Sequence, residues 1–205
     1  SRATAASTSG ARSPAGRVMA RKILAVTGIR SEYDMMYPVF RAVERHPELS
    51  LELLVTGAHL SRSFGYTVEQ IRRDGFPIAD EVESLISGDR KTARLKGVAV
   101  QLAGIVQAVP RAQPDCLMVL GDREEAITTA LAGAYLDIPV AHLCGGDRAI
   151  GNVDDVVRHA VTKLSHIHLA SNEQSKERIL RLGEEPFRVF NVGNPALDRF
   201  GDIPL

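Results

Sequence analysis

Arginines and carboxylates stand directly after several short apolar runs in this sequence. Arg30 and Asp34 follow the first run, Asp122 and Arg123 follow a later one, and Asp147 follows a third. A guanidinium can hold a phosphate group through two parallel hydrogen bonds. A positioned carboxylate can take or give a proton during a reaction. The residue types therefore indicate anion binding combined with proton transfer.

The first of these junctions begins with a glycine that permits a sharp turn. Gly28 would bring backbone N–H groups and a helix N-terminus toward a ligand, and Arg30 would pair with phosphate oxygens. Neither G-x-G-x-x-G nor G-x-x-x-x-G-K-[ST] occurs here, so the two common nucleotide-binding motifs are excluded. The alternative is a plain turn in which Ser31 or Asp34 caps a helix and Arg30 is solvated.

Two further junctions carry a histidine and an acidic cluster. His59 is suited to acid or base catalysis or to donating to a sugar or phosphate, although a lone histidine is more often packed or on the surface. Asp122 with Glu125 matches a capping box, which would explain that aspartate structurally. A capping role leaves the neighbouring Arg123 unexplained, and an arginine beside a carboxylate can hold an anion while the carboxylate moves a proton.

The densest junction combines His142 and Asp147 with Asp154, Asp155 and Arg158. An exposed ion pair between Asp154 and Arg158, four residues apart, is the structural alternative, and either aspartate can offset a helix dipole. One helix start does not need three nearby aspartates. The cluster therefore predicts proton transfer on a neutral substrate that carries an anionic group.

Metal binding and thiol chemistry rank below this interpretation. Carboxylates can hold Mg²⁺, but Arg30, Arg123 and Arg148 can neutralise a diphosphate without it. We therefore expect no metal ion and no cofactor. Cys144 lies in no pattern that marks an activated nucleophile, so a packed thiol is the favoured interpretation.

Short apolar runs alternate with longer stretches of helical period, which predicts an α/β fold with a doubly wound parallel sheet. The predicted strands are Lys22–Thr27, Leu51–Thr56, Cys116–Leu120, Val140–Leu143, Ile167–Ala170 and Phe187–Asn191, with a further short strand near Glu81–Ser84. The predicted helices are Tyr33–His46, Thr92–Val109, Glu124–Leu136, Asp154–Leu164 and Asn172–Leu182. In such a sheet, ligands bind beyond the carboxyl ends of the strands, where the polar clusters fall.

Composition narrows the class of protein. The 25 basic and 25 acidic residues give zero net charge, which argues against nucleic acid or an anionic membrane as a partner. Two cysteines without metal-ligand spacing favour a reducing cytoplasm. Residues 1–20 are predicted to be a disordered tail, or residues upstream of a native start at Met19, and residues 21–205 to form one Rossmann-like domain.

Several motifs occur together, in one order, between about Lys22 and Asp198. They are Gly28-Ile29-Arg30-Ser31-Glu32-Tyr33, Thr56-Gly57-Ala58-His59-Leu60-Ser61, Leu120-Gly121-Asp122-Arg123-Glu124, His142-Leu143-Cys144-Gly145-Gly146-Asp147, Asp154-Asp155 with Arg158-His159, and Val192-Gly193-Asn194-Pro195. In combination they resemble the N-terminal half of a hydrolysing UDP-N-acetylglucosamine 2-epimerase of nonulosonic (sialic or legionaminic) acid biosynthesis.

The resemblance implies a glycosyltransferase-B-like enzyme with a cleft between two Rossmann-like domains. The implied substrate is a UDP-N-acetylhexosamine, which loses its C2 proton and UDP to give a glycal that water then converts to the free 2-epimer. By resemblance, the catalytic residues are Asp122, Asp147 and Asp154. By the same resemblance, the substrate-binding residues are Arg30, Asp34, His59, Arg123, His142 and Asp155.

The sequence departs from the family pattern at Cys144, where related enzymes often carry a catalytic Glu. Asp147 would partly compensate, or the substrate would be a variant such as a diacetamido sugar nucleotide. Family members continue through a second domain, so we expect the 205-residue chain to be inactive alone. Helix faces in this fold often form contacts between copies of a chain, so we also expect a homo-oligomer. A transferase of the same architecture and a non-catalytic sugar-nucleotide binding module are the competing hypotheses.

Overall fold

A computed structural model describes residues 20–202 and shows a seven-stranded sheet in which every pairing is parallel. The strands are β1 (Arg21–Thr27), β2 (Leu49–Thr56), β3 (Ile78–Val82), β4 (Cys116–Leu120), β5 (Val140–Leu143), β6 (Ile167–Ala170) and β7 (Val189–Asn191). Their order across the sheet is β3-β2-β1-β4-β5-β6-β7. The chain therefore builds outward in one direction from β1 and in the other from β4.

Six α-helices connect the strands: α1 (Arg30–Arg45), α2 (Val68–Arg73), α3 (Lys91–Ala112), α4 (Glu124–Tyr135), α5 (Val153–Leu164) and α6 (Glu173–Arg181). Short 3₁₀ segments cover Gly57–Leu60, Arg62–Phe64, Pro186–Arg188 and Pro195–Asp202. Within the described part of the chain, no helix has both the length and the apolar character needed to cross a bilayer.

Successive residues of the central strands face opposite sides of the sheet, and both sides are buried. Ile23 and Ala25 of β1 pack in the core that contains α1 and α2, whereas Leu24 and Val26 pack in the core of α3, α4 and α5. This two-sided burial explains why the strands read as unbroken apolar runs.

The two cores are filled differently. Tyr33, Phe40 and Phe76 pack as an aromatic cluster on the α1 side, with ring centroids 5.6–6.3 Å apart. On the other side α4 lies close to the sheet, and a Cβ at its Gly133 would lie 2.4 Å from Val140 Cγ2. Small residues along α4 therefore set the position of its N-terminus, which carries part of the polar cluster after β4.

A buried polar network fixes α3 and α4 beside the carboxyl end of β2. Gln101 of α3 donates to the hydroxyls of Thr56 (3.2 Å) and Ser84 (3.3 Å), and its amide oxygen accepts from Thr128 of α4 (3.0 Å). The network links α3 and α4 to the end of β2 and to the segment after β3. Both the nitrogen and the oxygen of the Gln101 amide have hydrogen-bond partners, as buried polar groups require.

The predicted α/β architecture is confirmed. The short strand predicted near Glu81–Ser84 is present as β3, but it spans Ile78–Val82, so Glu83 and Ser84 lie outside it. Helix α1 begins three residues earlier than the pattern indicates. The six-residue helix α2 was not predicted, because fewer than two turns give little periodicity to read. Residues 1–19 and 203–205 lie outside the described residues, so the predicted disorder of the tail stays a prediction.

Leu54 of β2 is fully buried among α3-side residues. We expect Leu54→Ala to lower the free energy of unfolding by about 2–5 kcal/mol, because the deletion leaves a cavity between strand and helices. Urea denaturation measures the change. The matched control is Leu95→Ala on α3, where the side chain is 69% exposed and the change should stay within about 0.5 kcal/mol. Equal losses in the two variants would contradict the assigned core.

Candidate active site

The loops after β1, β4 and β5 lie at the carboxyl edge of the sheet. Between the neighbouring strands β1 and β4 the strand order reverses, so this is the topological switch point of the sheet. Gly28, after β1, lies directly beneath the side chain of Glu125 from α4. A Cβ at Gly28 would lie 1.7 Å from Glu125 Oε1, so only glycine fits while that carboxylate is in place. The same oxygen lies 3.0 Å from the Cβ position of Gly57, which follows β2. Glu125 therefore joins three strand ends.

A second carboxylate, Glu32, is buried beside Glu125. Glu32 Oε2 accepts a hydrogen bond from the Gly28 N–H at 3.1 Å. Arg123 Nε lies 3.7 Å from Glu32 Oε1 and 3.5 Å from Glu125 Oε2. Burial, followed by the charge of Glu125, raises the pKa of Glu32 to about 8, and burial also raises the pKa of Glu125. Two carboxyl groups thus share one guanidinium.

Arg158 of α5 joins the loops after β4 and β5. Its guanidinium hydrogen-bonds the carboxylate of Asp122, and its Nη1 lies 3.6 Å from Asp147 Oδ2. Asp122 and Arg158 are both mostly buried, with side chains 15% and 14% exposed. The ion pair holds the Asp122 carboxylate at the end of β4 in one orientation.

Asp147 also anchors the β5 loop to the start of α6. One of its oxygens accepts from the hydroxyls of Ser171 (2.6 Å) and Ser175 (2.5 Å). The preceding Gly146 has φ +77°, and a Cβ there would lie 2.2 Å from the Ser175 carbonyl oxygen. Glycine is required at this position for both reasons.

Asp154 lies in the first turn of α5 and is partly exposed. Its carboxylate accepts from the Asn152 side-chain amide (2.7 Å) and lies 3.5 Å from Arg94 Nη2. Arg94 also pairs with Glu124, so this arginine connects α3, α4 and α5. A cavity of about 610 Å³ opens between the three helices, and Asp122 and Glu124 stand in its wall among apolar residues. Its apolar residues are Leu95, Val98, Ile127, Val153 and Val157.

Asp155, the neighbour of Asp154, fixes the loop that precedes α5. It accepts a hydrogen bond from the Ala149 N–H (2.8 Å), and Arg148 Nε lies 3.6 Å away. His159 Nε2 stands 4.0 Å from its other oxygen. These contacts give Asp155 a role in shaping the loop.

Arg30 and Asp34 line a separate opening next to the β1 loop. Arg30 Nε lies 3.4 Å from Asp34 Oδ2, and the arginine side chain is 66% exposed. A cavity of about 400 Å³ lies beside them, between the start of α1 and residues 58–67. Such an exposed guanidinium at a helix start can reach an anion in the cleft.

His59 and His142 are fully buried behind the loops. His59 lies between the hydroxyls of Thr27 (3.1 Å) and Thr67 (2.7 Å), and His142 Nε2–H donates to the Gly121 carbonyl at 2.7 Å. Burial lowers the pKa of each imidazole to about 4, so both are neutral at pH 7. Their contacts position the loops after β1 and β4.

Cys144 follows β5 in the left-handed region, with φ +57°. Its thiol is buried in the α1-side core, and burial raises its pKa to about 12. A neutral, enclosed thiol agrees with the packed role favoured from the sequence.

The sequence was also compared with known proteins. The family model for UDP-N-acetylglucosamine 2-epimerase matches residues 41–203. The chain belongs to this family. A UDP-N,N′-diacetylbacillosamine 2-epimerase (hydrolyzing) from Legionella pneumophila is 39% identical over 180 residues, covering 88% of this chain and 48% of the relative. A GDP/UDP-N,N′-diacetylbacillosamine 2-epimerase (hydrolyzing) from Campylobacter jejuni is 37% identical, with 86% and 46% covered.

Solved structures of 2-epimerases share the fold. The Neisseria meningitidis UDP-GlcNAc 2-epimerase bound to UDP-GlcNAc superposes with a TM-score of 0.75 at 23% identity, covering 88% of this chain and 49% of that one. This structural similarity confirms the predicted Rossmann-like fold. The chain spans about half the length of the curated 2-epimerases that it matches.

Within this 2-epimerase fold, the predicted site residues fall into separate groups. Asp122 and Asp147 both contact Arg158. Asp154 contacts Arg94 instead. Arg30 and Asp34 form their own pair. The structure gives Asp155, His59 and His142 contacts that support loops, and their predicted contact with substrate stays a prediction.

Three structural alternatives from the sequence are wrong. Arg123, and not Asp122, is the N-cap of α4 and makes no side-chain cap bond, because a guanidinium has no acceptor for a backbone N–H. Glu125 lies against Gly28 and does not complete a capping box. Arg158 pairs with Asp122 and Asp147 and not with Asp154, since the tertiary partners lie closer. Ile29 is the N-cap of α1, so neither Ser31 nor Asp34 occupies the capping position.

Glu32, Glu125 and Arg94 were not predicted as site residues from the sequence, and Arg158 was noted in its cluster without a predicted role in the site. Glu32 lies in the first family motif and Glu125 directly follows the third, but helix capping and solvation explain such residues equally well without a structure. The available signal was their position in the first turn of helices that start at neighbouring strand ends. Arg94 had no signal, because only the packing of α3 brings it near the site.

The neutral state of His142 predicts a pH effect on stability. In the unfolded chain the imidazole titrates near 6.5, so its stabilising contribution is complete above that pH and is lost as pH falls toward 4. Between pH 7 and pH 5 we expect the wild-type chain to lose on the order of 1–2 kcal/mol more unfolding free energy than His142→Gln does. Urea unfolding at the two pH values tests this. The same loss in both proteins would show that His142 does not resist protonation.

Proposed function

We propose that this chain is the N-terminal half of a hydrolysing 2-epimerase that converts a UDP-N-acetylhexosamine to UDP and the free 2-epimeric sugar. The supporting observation is the Asp122 carboxylate, which Arg158 orients in the wall of the cavity between α3, α4 and α5. Asp154 lies near that cavity at the start of α5. The relatives from Legionella pneumophila and Campylobacter jejuni are named as hydrolyzing enzymes for diacetylbacillosamine nucleotides, so that sugar is included in the proposed substrate class.

The first step is an elimination. Asp122 takes the proton from C2, the C2–H electrons form the C1=C2 double bond, and the C1–O bond breaks with its electron pair leaving on UDP. Arg30 and Arg123 stabilise the negative charge that develops on the leaving diphosphate. The second step adds water, with hydroxide bonding to C1 and a proton returning to C2 from the opposite face, which Asp154 supplies.

Asp147 supports this chemistry through position. Arg158 contacts both Asp147 and Asp122, so Asp147 shares the guanidinium that orients the proposed base. Its bonds to Ser171 and Ser175 keep the β5 loop closed against α6. In this assignment Asp147 acts as a positioning residue.

The proposal includes a second half that completes the cleft. The matched 2-epimerases are about twice as long as the aligned region, and a single Rossmann-like half leaves the cavities at the sheet edge open. Residues 21–205 would form the first domain, and the predicted inactivity of this half alone follows from the same proposal. A cytoplasmic location and a homo-oligomeric state also stay predictions.

A non-catalytic sugar-nucleotide binding module is the second candidate. It is favoured by Cys144, because a buried thiol with a raised pKa supplies no group for proton transfer at this position. A transferase is the other alternative class, and product analysis distinguishes it, since a glycoside and not a free sugar would form.

The test uses the chain joined to the second half of the Legionella pneumophila relative, with UDP-N-acetylglucosamine and its diacetamido counterpart as substrates. We expect release of UDP and free sugar, and deuterium at C2 when the reaction runs in D₂O. Asp122→Asn should lower kcat by about 10²–10⁴-fold, because the amide cannot accept the proton.

The matched control is Asp137→Asn, an exposed residue in the turn before β5, where asparagine tolerates the observed φ of +55°. It should leave kcat unchanged. A folded fusion that binds the nucleotide sugar but releases no UDP would support the binding module, and a glycoside product would support the transferase.

A further inference from the structure

The buried carboxyl pair at the β1–β4 junction is not used in the reaction steps above. Glu32 and Glu125 have side chains only 10% and 6% exposed, so neither can touch a substrate directly. They face one another across the Nε of Arg123, and the backbone of Gly28 lies against both. Arg123 itself is 39% exposed. One end of this arginine is therefore enclosed while the rest is open to solvent.

The contacts within the cluster are incomplete. Arg123 Nε and Glu125 Oε2 are buried atoms without a hydrogen-bond partner among the described residues, although they lie 3.5 Å apart. A buried unpaired donor or acceptor is costly and needs a physical explanation. A guanidinium that can shift toward either carboxylate or toward an outside anion is one such explanation.

The charges around the pair do not balance when every group is ionised. Glu32 of α1 faces Glu125 and Glu124 of α4, and Arg123 and Arg94 are the cations beside them. Arg94 is shared between Glu124 and Asp154, so the buried pair has one guanidinium, Arg123, for two carboxylates, which leaves one negative charge. From the end of β2, Gly57 approaches the pair, with its Cβ position 3.0 Å from Glu125 Oε1. One proton shared by the pair removes the excess charge.

We propose that Glu32 and Glu125 are positioning residues that share one proton and hold Arg123, and that a diphosphate bound at Arg123 draws a proton onto the pair. The proposal rests on the diphosphate-binding role of Arg123 in the proposed function. It goes beyond that role by coupling nucleotide-sugar binding to proton uptake at two residues that do not contact the ligand.

The direction of the coupling follows from electrostatics. Burial raises the pKa of both carboxyl groups, and so does a neighbouring carboxylate, Glu125 at Glu32 and Glu124 at Glu125, while the positive charge of Arg123 lowers both. An anion at Arg123 cancels that lowering influence, so the pKa of the pair rises further on binding. Affinity for a diphosphate should therefore be highest below about pH 8 and fall above it, by about tenfold for each unit by which binding raises the pKa.

Two measurements on the 205-residue chain test the proposal. Carboxyl ¹³C NMR titration without ligand should show one member of the pair titrating near pH 8, and Arg123→Met should move that titration to higher pH. Calorimetry of UDP-N-acetylglucosamine binding, in buffers with different heats of ionisation, should show proton uptake at pH 7.5–8. This ligand is suitable because its diphosphate does not itself titrate in that range.

Glu125→Gln should abolish the proton uptake and flatten the pH dependence of Kd, and Glu32→Gln provides an independent variant of the same pair. Glu177→Gln, at an exposed position on α6, is the matched control and should keep both properties. A purely structural role would change unfolding free energy without changing proton uptake.

The outcomes separate this proposal from the proposed function. Both carboxyl groups titrating near 4.5 would overturn the shared proton whether or not the ligand binds. Binding without proton uptake would overturn the coupling while leaving the 2-epimerase proposal intact. A titration near pH 8 in a chain that does not bind UDP-N-acetylglucosamine would support the shared proton and count against Arg123 as a diphosphate site in this half.

Discussion

Burial of the Glu125 carboxylate against Gly28 is the contact on which the arrangement of the site depends. The contact brings the start of α4 onto the loop after β1, and it leaves no room for a side chain at position 28. It also places a negative charge where water cannot solvate it, so a cation and a proton are needed nearby. Arg123 supplies the cation, and the raised pKa of Glu32 allows the proton to remain near neutral pH.

Arginines connect the remaining loops by pairing with two carboxylates each. Arg158 connects Asp122 to Asp147, and Arg94 connects Glu124 to Asp154. Because the partners belong to different elements, each guanidinium fixes the distance between two strand ends or helix starts. The zero net charge of the chain is consistent with this pattern, since the site contains positive and negative groups in close alternation and not a field of one sign.

Neutral imidazoles complete the support of the loops. His59 and His142 are enclosed by hydroxyl and carbonyl partners, and burial keeps them uncharged at pH 7. Both histidines lie at strand ends, where the sequence alone suggested a role at the site. In the structure they are enclosed, and they support the loops through hydrogen bonds. The Cys144 side chain is also buried and uncharged, but it packs among apolar side chains in the α1-side core.

Local patterns were enough to predict the parallel α/β architecture, the family and the strand ends that carry polar residues. These patterns are unbroken apolar runs, helical periods and motifs in a fixed order. The pairing of the charges could not be read from such patterns, because it depends on how the helices pack. Arg158 has Asp154 four residues away yet bonds Asp122, thirty-six residues away, and Glu125 fits a capping box yet lies on Gly28. Helix capping and i,i+4 pairing are weak interactions, worth less than satisfying a buried charge, so the packing of α3, α4 and α5 overrides them.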